Sequence, residues 1–200
     1  MNSPKRPESV NLGAGDLKYE DFNGDGIIND NDQHRIGHAS SPRMNYGLSL
    51  GLEYKGWFMN MLWQGAGAYD IEYAYRTQEK MLVYFDFQKD AWSLDNQDAL
   101  FPRLRSASGV NGYNNNMAST FWLVNGKYIR LKNLSIGYDF KNNVLKNVGW
   151  LTKCSLSLTG YNLLTFSPAK SYGLDPEIGD GRMFNYPISQ TYSISLNLGF

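Results

Sequence analysis

Residues 44–54, MNYGLSLGLEY, alternate without a fault. Met44, Tyr46, Leu48, Leu50, Leu52 and Tyr54 fall on one side, and Asn45, Gly47, Ser49, Gly51 and Glu53 on the other. A period of two describes a strand with one apolar face. The same pattern recurs in TYSISLNLGF (191–200), with Tyr192, Ile194, Leu196, Leu198 and Phe200 on the apolar side, and in CSLSLTG, with Cys154, Leu156 and Leu158. WFMNMLWQG sets Trp57, Met59, Met61 and Trp63 on one face, against a mixed face of Phe58, Asn60, Leu62 and Gln64. KYIRLKNLSIGYDF changes phase: Ile129 and Leu131 are followed by Leu134, Ile136, Tyr138 and Phe140. One extra residue near Lys132–Asn133, a β-bulge, reconciles the two halves. Five strands are therefore expected, at about 44–55, 57–66, 128–140, 152–165 and 190–200.

These runs are roughly twice the usual soluble strand length of about 5–6 residues and match the ~9–11 residues that a tilted strand needs to cross a bilayer. Tyr46 and Tyr54 bracket one apolar face, and Tyr192 and Phe200 bracket another at the same spacing. Eight steps of a tilted strand rise roughly 20 Å, close to the ~25 Å apolar band between the aromatic girdles of a bacterial barrel. The connections also alternate. Lys55-Gly56 is a tight turn and 141–151 is short, whereas 67–127 and 166–189 are long, as is the lead-in 1–43. Short turns on one side and long loops on the other is the layout of an outer-membrane barrel with its long loops outside the cell.

The expected class is all-β: antiparallel strands forming about the last five of a large transmembrane β-barrel, with long extracellular loops. Five strands cannot close a ring, and open edges cannot face lipid. More strands are therefore expected before residue 1.

Composition narrows the alternatives. Nineteen basic and nineteen acidic residues cancel, which argues against a nucleic-acid partner. The single cysteine, Cys154, excludes an internal disulfide and is expected to pack on its apolar face. No apolar run approaches the ~18 residues of a spanning helix, and the first fifteen residues lack the apolar core of a signal peptide. No phosphate loop or Ser/His/Asp arrangement occurs, so no enzyme and no organic cofactor are expected. Asp175 and Glu177, two apart beside Pro176, read as loop structure rather than as a glycosidase pair.

One stretch stands outside the strand pattern. DFNGDGIINDND (21–32) offers oxygen ligands at the spacing of a calcium loop: Asp21, Asn23, Asp25, the Ile27 carbonyl, Asn29 and Asp32. Gly26 occupies the sharp turn. Position 12 is Asp rather than the bidentate Glu of the helix-flanked loop, and the flanks are not helical. The competing reading is a turn built from residues that favour turns without an ion.

Together these stretches resemble the C-terminal end of SusC/RagA-type TonB-linked outer-membrane transporters of Bacteroidetes. GDLKYEDFNGDGIINDNDQHRIG (15–37) is similar to the calcium-type segment of that family, and PRMNYGLSLGLEYKGWFMNMLWQGA (42–66) to the hairpin that follows it. STFWLVNGKYIRLKNLSIGYDF (119–140) is similar to its W-L-x-x-G-x-Y-L-R-L-K-N strand. LSLTGYNLLTFSPAKSYGLDPE with YPISQTYSISLNLGF (156–177 and 186–200) is similar to its last two strands. The resemblance implies a 22-stranded barrel in the outer membrane, with a plug and a TonB-contacting segment that this chain lacks. It also implies a SusD-like lipoprotein lid and the import of glycans or oligopeptides. The run from Tyr192 to Phe200 resembles the signal read by the barrel assembly machinery. In the segment 68–92, Tyr69, Tyr73, Tyr75, Tyr84 and Trp92 are candidates for contact with substrate or lid, with a short helix over 72–82. The alternative is a soluble, calcium-stabilised β module for adhesion or carbohydrate binding.

Overall fold

The computed structural model describes residues 12–73, 89–105, 114–178, 186 and 188–200. Two compact units emerge, Met1–Gly37 with Glu72–Leu123, and His38–Ile71 with Val124–Phe200.

The second unit is built on one antiparallel sheet. Its strands are β1 (Met44–Tyr54), β2 (Trp57–Gly67), β5 (Tyr128–Asp139), β6 (Lys153–Phe166) and β7 (Thr191–Gly199), paired in that order. Two short strands, β3 (Asp70–Glu72) and β4 (Leu123–Asn125), pair separately. No helix among the described residues is long and apolar enough to cross a membrane. The fold is all-β; the five long strands end within one residue of the runs of alternation, and β3 and β4 fall within 67–127, the segment read from the sequence as a long loop.

The β1–β2 connection shows why the register is fixed. Lys55 and Gly56 both adopt positive φ, 47° and 87°. Two such residues make the tight turn whose twist matches the flanking strands. It sets Tyr54 opposite Trp57 and Met44 opposite Gly67. Each later pairing preserves the apolar side. Leu52, Met59, Ile136, Leu158 and Ile194 form one row across all five strands, and Tyr54, Trp57, Tyr138, Leu156 and Leu196 form the next. The opposite face carries rows such as Gly51, Asn60, Ser135, Thr159 and Ser193. There the Thr159 hydroxyl donates to the Ser135 hydroxyl at 3.0 Å.

The phase change in β5 is resolved by a bulge. Leu62 pairs with Asn133 and Trp63 with Leu131, leaving Lys132 as the extra residue. The register with β6 shifts at the same place, between Leu131 and Asn133. Ile129 and Leu131 thereby stay on the side of Leu134 and Ile136.

The first unit is held by an aromatic cluster and a polar core. Trp122 is buried and stacks with Tyr73 and Phe101 at 6.1 and 6.4 Å. Its indole N–H donates to the Asn115 carbonyl at 2.9 Å. Asn114 and Asn115 are fully buried and tie down the segment near Asp16. The Asn115 side chain accepts from the Leu17 N–H and donates to Asp16, while Asn114 donates to the Leu17 carbonyl.

Candidate functional site

Three surfaces carry the chemistry. The first is the apolar face of the sheet. Leu48, Leu50, Leu52, Ile136, Leu158, Ile194 and Leu196 are all exposed. A water-facing sheet would bury such residues under another layer. At the end of the sheet that carries the β1–β2 turn, aromatic rings gather: Trp57 lies edge-on to Tyr138 at 5.1 Å, Tyr138 edge-on to Phe140 at 4.9 Å, and Trp150 stacks on Phe200 at 5.7 Å. Tyr54, Trp57, Trp150 and Phe200 are exposed. Amphipathic rings at one level beside an apolar band are the mark of a membrane interface. Tyr192, also exposed, lies on the same face in the row of Leu50, Met61, Leu134 and Gly160.

The second surface is a polar cluster at the opposite end of the small-residue face, centred on Arg130. Its side chain is only 3% exposed. Nε donates to the Thr165 hydroxyl at 2.8 Å, Nη1 to Glu177 at 2.5 Å, and Nη2 to both Asp175 oxygens at 2.9 and 2.8 Å. Lys132, the bulge residue, donates to both oxygens of Glu177 at 3.1 Å, and the Tyr128 hydroxyl donates to Glu177 at 3.2 Å. The Tyr69 hydroxyl donates to the Pro176 carbonyl at 2.7 Å. Burial first, then the Asp175 and Glu177 charges, push that phenol up to about 12, so it remains a donor. The cluster fastens the Leu174–Glu177 loop onto the sheet. A short 3-10 turn, Pro168–Tyr172, leads into it, capped by the Ser167 hydroxyl and closed by Gly173 at φ 71°.

The third surface is the calcium-type loop. Gly26 takes φ 83°, the turn the motif requires. The carboxylates are engaged locally. Asp21 accepts from the Gly24 and Gly26 N–H groups at 2.7 Å, Asp25 from the Ile27 N–H at 2.8 Å, and Asp32 from the Phe22 and Asn29 N–H groups at 3.0 and 2.8 Å. The N–H groups of Asn29, Asn23 and Phe22 hold the Asp32 carboxyl below its usual value. Among the described residues no three acidic or histidine side chains gather in the way that holds a metal ion. The donor chemistry, all oxygen, suits a hard cation; the side chains here serve the turn.

The five aromatic contact candidates separate. Tyr69 and Tyr73 are 2% and 1% exposed. Tyr69 braces the Pro176 loop, with its ring where a Cβ on Gly126 would stand, and Tyr73 packs in the Trp122 cluster. Both rings are packing groups here rather than contact surfaces. Trp92 is partly exposed. Tyr75 and Tyr84 lie outside the described residues, as does most of the helix expected over 72–82, whose first residue, Glu72, ends β3.

Reasoning from sequence alone passed over Arg130. The sequence sets Arg130 and Lys132 two apart in a strand and Asp175 and Glu177 two apart in a loop, but nothing in it pairs the two.

Comparison with known proteins agrees with this geometry. No family model matches the chain. It is 28% identical to TonB-dependent receptor P39 of Formosa agariphila over 94% of its own length and 19% of that protein. It is 25% identical to TonB-dependent receptor SusC of Bacteroides thetaiotaomicron over 91% of its length and 17% of that protein. The chain is a relative of the TonB-dependent receptors. It spans about a fifth of the length of the curated relatives it matches. In fold, it superposes on the RagAB peptide importer in the closed-closed state with a TM-score of 0.65, at 24% identity, over 86% of the chain and 19% of that structure. The sheet is thus like the C-terminal part of a TonB-dependent barrel, and the soluble β module is not favoured.

Proposed function

We propose that this chain works as part of an outer-membrane TonB-dependent receptor that imports glycans or oligopeptides. The observation that carries the reading is the unbroken, exposed apolar face shared by five strands, with aromatic rings at one end. Lipid is the solvent that suits such a face, and the outer membrane is the location of the receptors it resembles. The free edges of β1 and β7 need further strands, since no backbone group stays unpaired in hydrocarbon. TonB acts through a plug-bearing part outside this chain, and a SusD-like lipoprotein covers the long loops. Asp175 and Glu177 are engaged by Arg130 and Lys132, which supports reading this pair as loop structure.

The loop Asp21–Asp32 joins this reading as a calcium-stabilised segment of the outward-facing part. Its donor types and Gly26 support that role. Its carboxylates would exchange some of their N–H partners for the ion.

The test is uptake by cells carrying the complete receptor. TonB-dependent accumulation of labelled glycan or peptide, lost on deletion of the receptor, is the expected result. Unchanged uptake in the deletion strain would overturn the reading.

A further inference from the structure

The β1–β2 turn stands where the aromatic row of the apolar face gives way to the polar rim. Tyr54 and Trp57 pair across the turn in that row, and both rings are exposed. Lys55 follows Tyr54 by one residue, about 3.4 Å further along the chain. Its exposed ammonium lies 5.2 Å from the centre of the Tyr54 ring, beside the apolar face. Among the described residues that ring is its one partner. Lys141, in the neighbouring turn, differs: its ammonium donates to the Val148 carbonyl at 2.8 Å. A groove of about 400 Å³ runs around the β1–β2 turn, with Tyr54, Lys55 and Trp57 in its lining. The two carboxylates that share the lining leave Lys55 alone. Glu53 belongs to the opposite face, in the row of Phe58 and Gly137. Asp139 accepts from the Lys141 and Asn142 N–H groups and from the Asn142 amide. The turn is also fixed in place. The Asp139 N–H donates to the Gly56 carbonyl at 2.8 Å, and the Asn143 amide fills the space that a Cβ on Gly56 would need.

We infer that Lys55, Tyr54 and Trp57 form a site for the headgroup of an anionic glycerophospholipid. Amphipathic rings sit at headgroup level, so the acyl chains lie along the apolar rows and the phosphate comes level with Lys55. An ammonium is a compact charge with three donors, which suits phosphate oxygens. The site is continuous with the lipid-facing side of the sheet and rests on the receptor reading above. The strand that pairs with the free edge of β1 lies beside it in the sheet and leaves this face open. A lysine at an anionic membrane surface strengthens binding roughly fivefold.

The test reconstitutes the purified complete receptor in phosphatidylcholine nanodiscs that carry a minor share of phosphatidylglycerol with a photoreactive headgroup. Crosslinks are mapped by peptide mass spectrometry. The turn 54–57 is expected to be labelled, roughly fivefold more than by a phosphatidylcholine with the same photoreactive group. Lys55→Gln is expected to abolish that preference and Lys55→Arg to retain it. Lys146→Gln, at an exposed lysine in the 141–151 turn, is expected to leave it unchanged. Equal labelling by the two lipids, full labelling in Lys55→Gln, or an equal loss in Lys146→Gln overturns the site. Labelling abolished by soluble inorganic phosphate overturns the lipid assignment in favour of a free anion. A second lipid, photoreactive in its acyl chain, separates this inference from the reading it rests on. It is expected to label the row of Leu52, Met59 and Ile136. Labelling of that row without labelling of the turn refutes the site alone; labelling of neither refutes the lipid-facing sheet as well.

Discussion

Arg130 and Asp175, forty-five positions apart, meet through one guanidinium nitrogen that donates to both carboxylate oxygens at 2.9 and 2.8 Å. The arginine is buried, and Glu177 occupies its other arm. Removing the arginine leaves the largely buried Asp175 without its counter-ion, while Glu177 keeps Lys132 and the Tyr128 hydroxyl; breaking a buried pair of this kind costs about 3–5 kcal/mol. Arg130→Met in the complete receptor is expected to fall in that range, read as a lowered urea midpoint in liposomes, with the loop at 174–177 opening to protease. Lys132→Met should cost about 1 kcal/mol or less, since Lys132 is 28% exposed and screened by solvent. Equal effects of the two variants would show that Arg130 is not the centre of the cluster.

The assignment of faces makes a second prediction. Leu158 lies in the apolar row with Ile136 and Ile194, while its neighbour Ser157 lies opposite, in the row with Gly137 and Ser195. A charge on the lipid face near the bilayer centre costs about 2–4 kcal/mol, and a lumenal one far less. Leu158→Arg is expected to destabilise the folded receptor by that amount, and Ser157→Arg by under about 1 kcal/mol. The reverse ranking would turn the sheet inside out.

Much of this sheet was legible because a strand with one apolar face writes its period directly into the sequence. The phase change in KYIRLKNLSIGYDF marked the bulge, since Ile129 and Leu134 can share a face only if one residue is extra. The Arg130 cluster was not legible. Its partners arrive from a loop more than forty residues away, and periodicity carries no information about which carboxylates fold back. Tyr69 and Tyr73 misled for a related reason. An aromatic in a long polar loop reads as available to a ligand until the packing of Trp122 and Pro176 around it is known.

Acid sensitivity is expected at Asp16. Burial would raise this carboxyl, but the hydrogen bonds from Arg105, the Gly13 N–H and Asn115, with the Arg105 charge, outweigh it and hold the carboxyl below its ordinary value. A group depressed in the folded state contributes stability that is present above its unfolded pKa of about 4 and lost as pH falls through the folded value. Protease cleavage within 12–20 should therefore rise as pH drops below about 4. In Asp16→Asn, cleavage should be higher at neutral pH and change little with acid. A wild-type profile that is flat into acid would rule this anchoring out.

Calcium should act on the loop Asp21–Asp32 and leave the sheet alone. The ion would order a polar segment whose apolar anchors are the buried Ile28 and the stacking of Phe22 on His34 at 4.3 Å. Calorimetry on the complete receptor is expected to show a calcium-dependent stabilisation that Asp21→Ala with Asp25→Ala abolishes, while membrane insertion continues. Identical melting with calcium and with chelator would leave the loop a turn held by its own N–H groups.

The last prediction concerns Phe200. Its ring lies parallel to Trp150, within 5° at 5.7 Å, and both are exposed at the aromatic end of the sheet. The apolar face of β7 runs from Tyr192 through Ile194, Leu196 and Leu198 to this ring. The strand carries neither a charge nor a proline between Ser189 and Phe200. An edge that had to remain single in water would be blunted by one or the other, so this edge is suited to pairing during assembly. Phe200→Asp places a charge where the rings meet the interface and breaks the aromatic end of the strand. The expected outcome is a severalfold fall in outer-membrane level of the complete receptor with synthesis unchanged. Trp150→Ala removes the stacking partner but leaves the strand pattern intact, and should lower the level much less. If the two variants reach the surface equally well, β7 carries no assembly signal and Phe200 is only one more ring in the girdle.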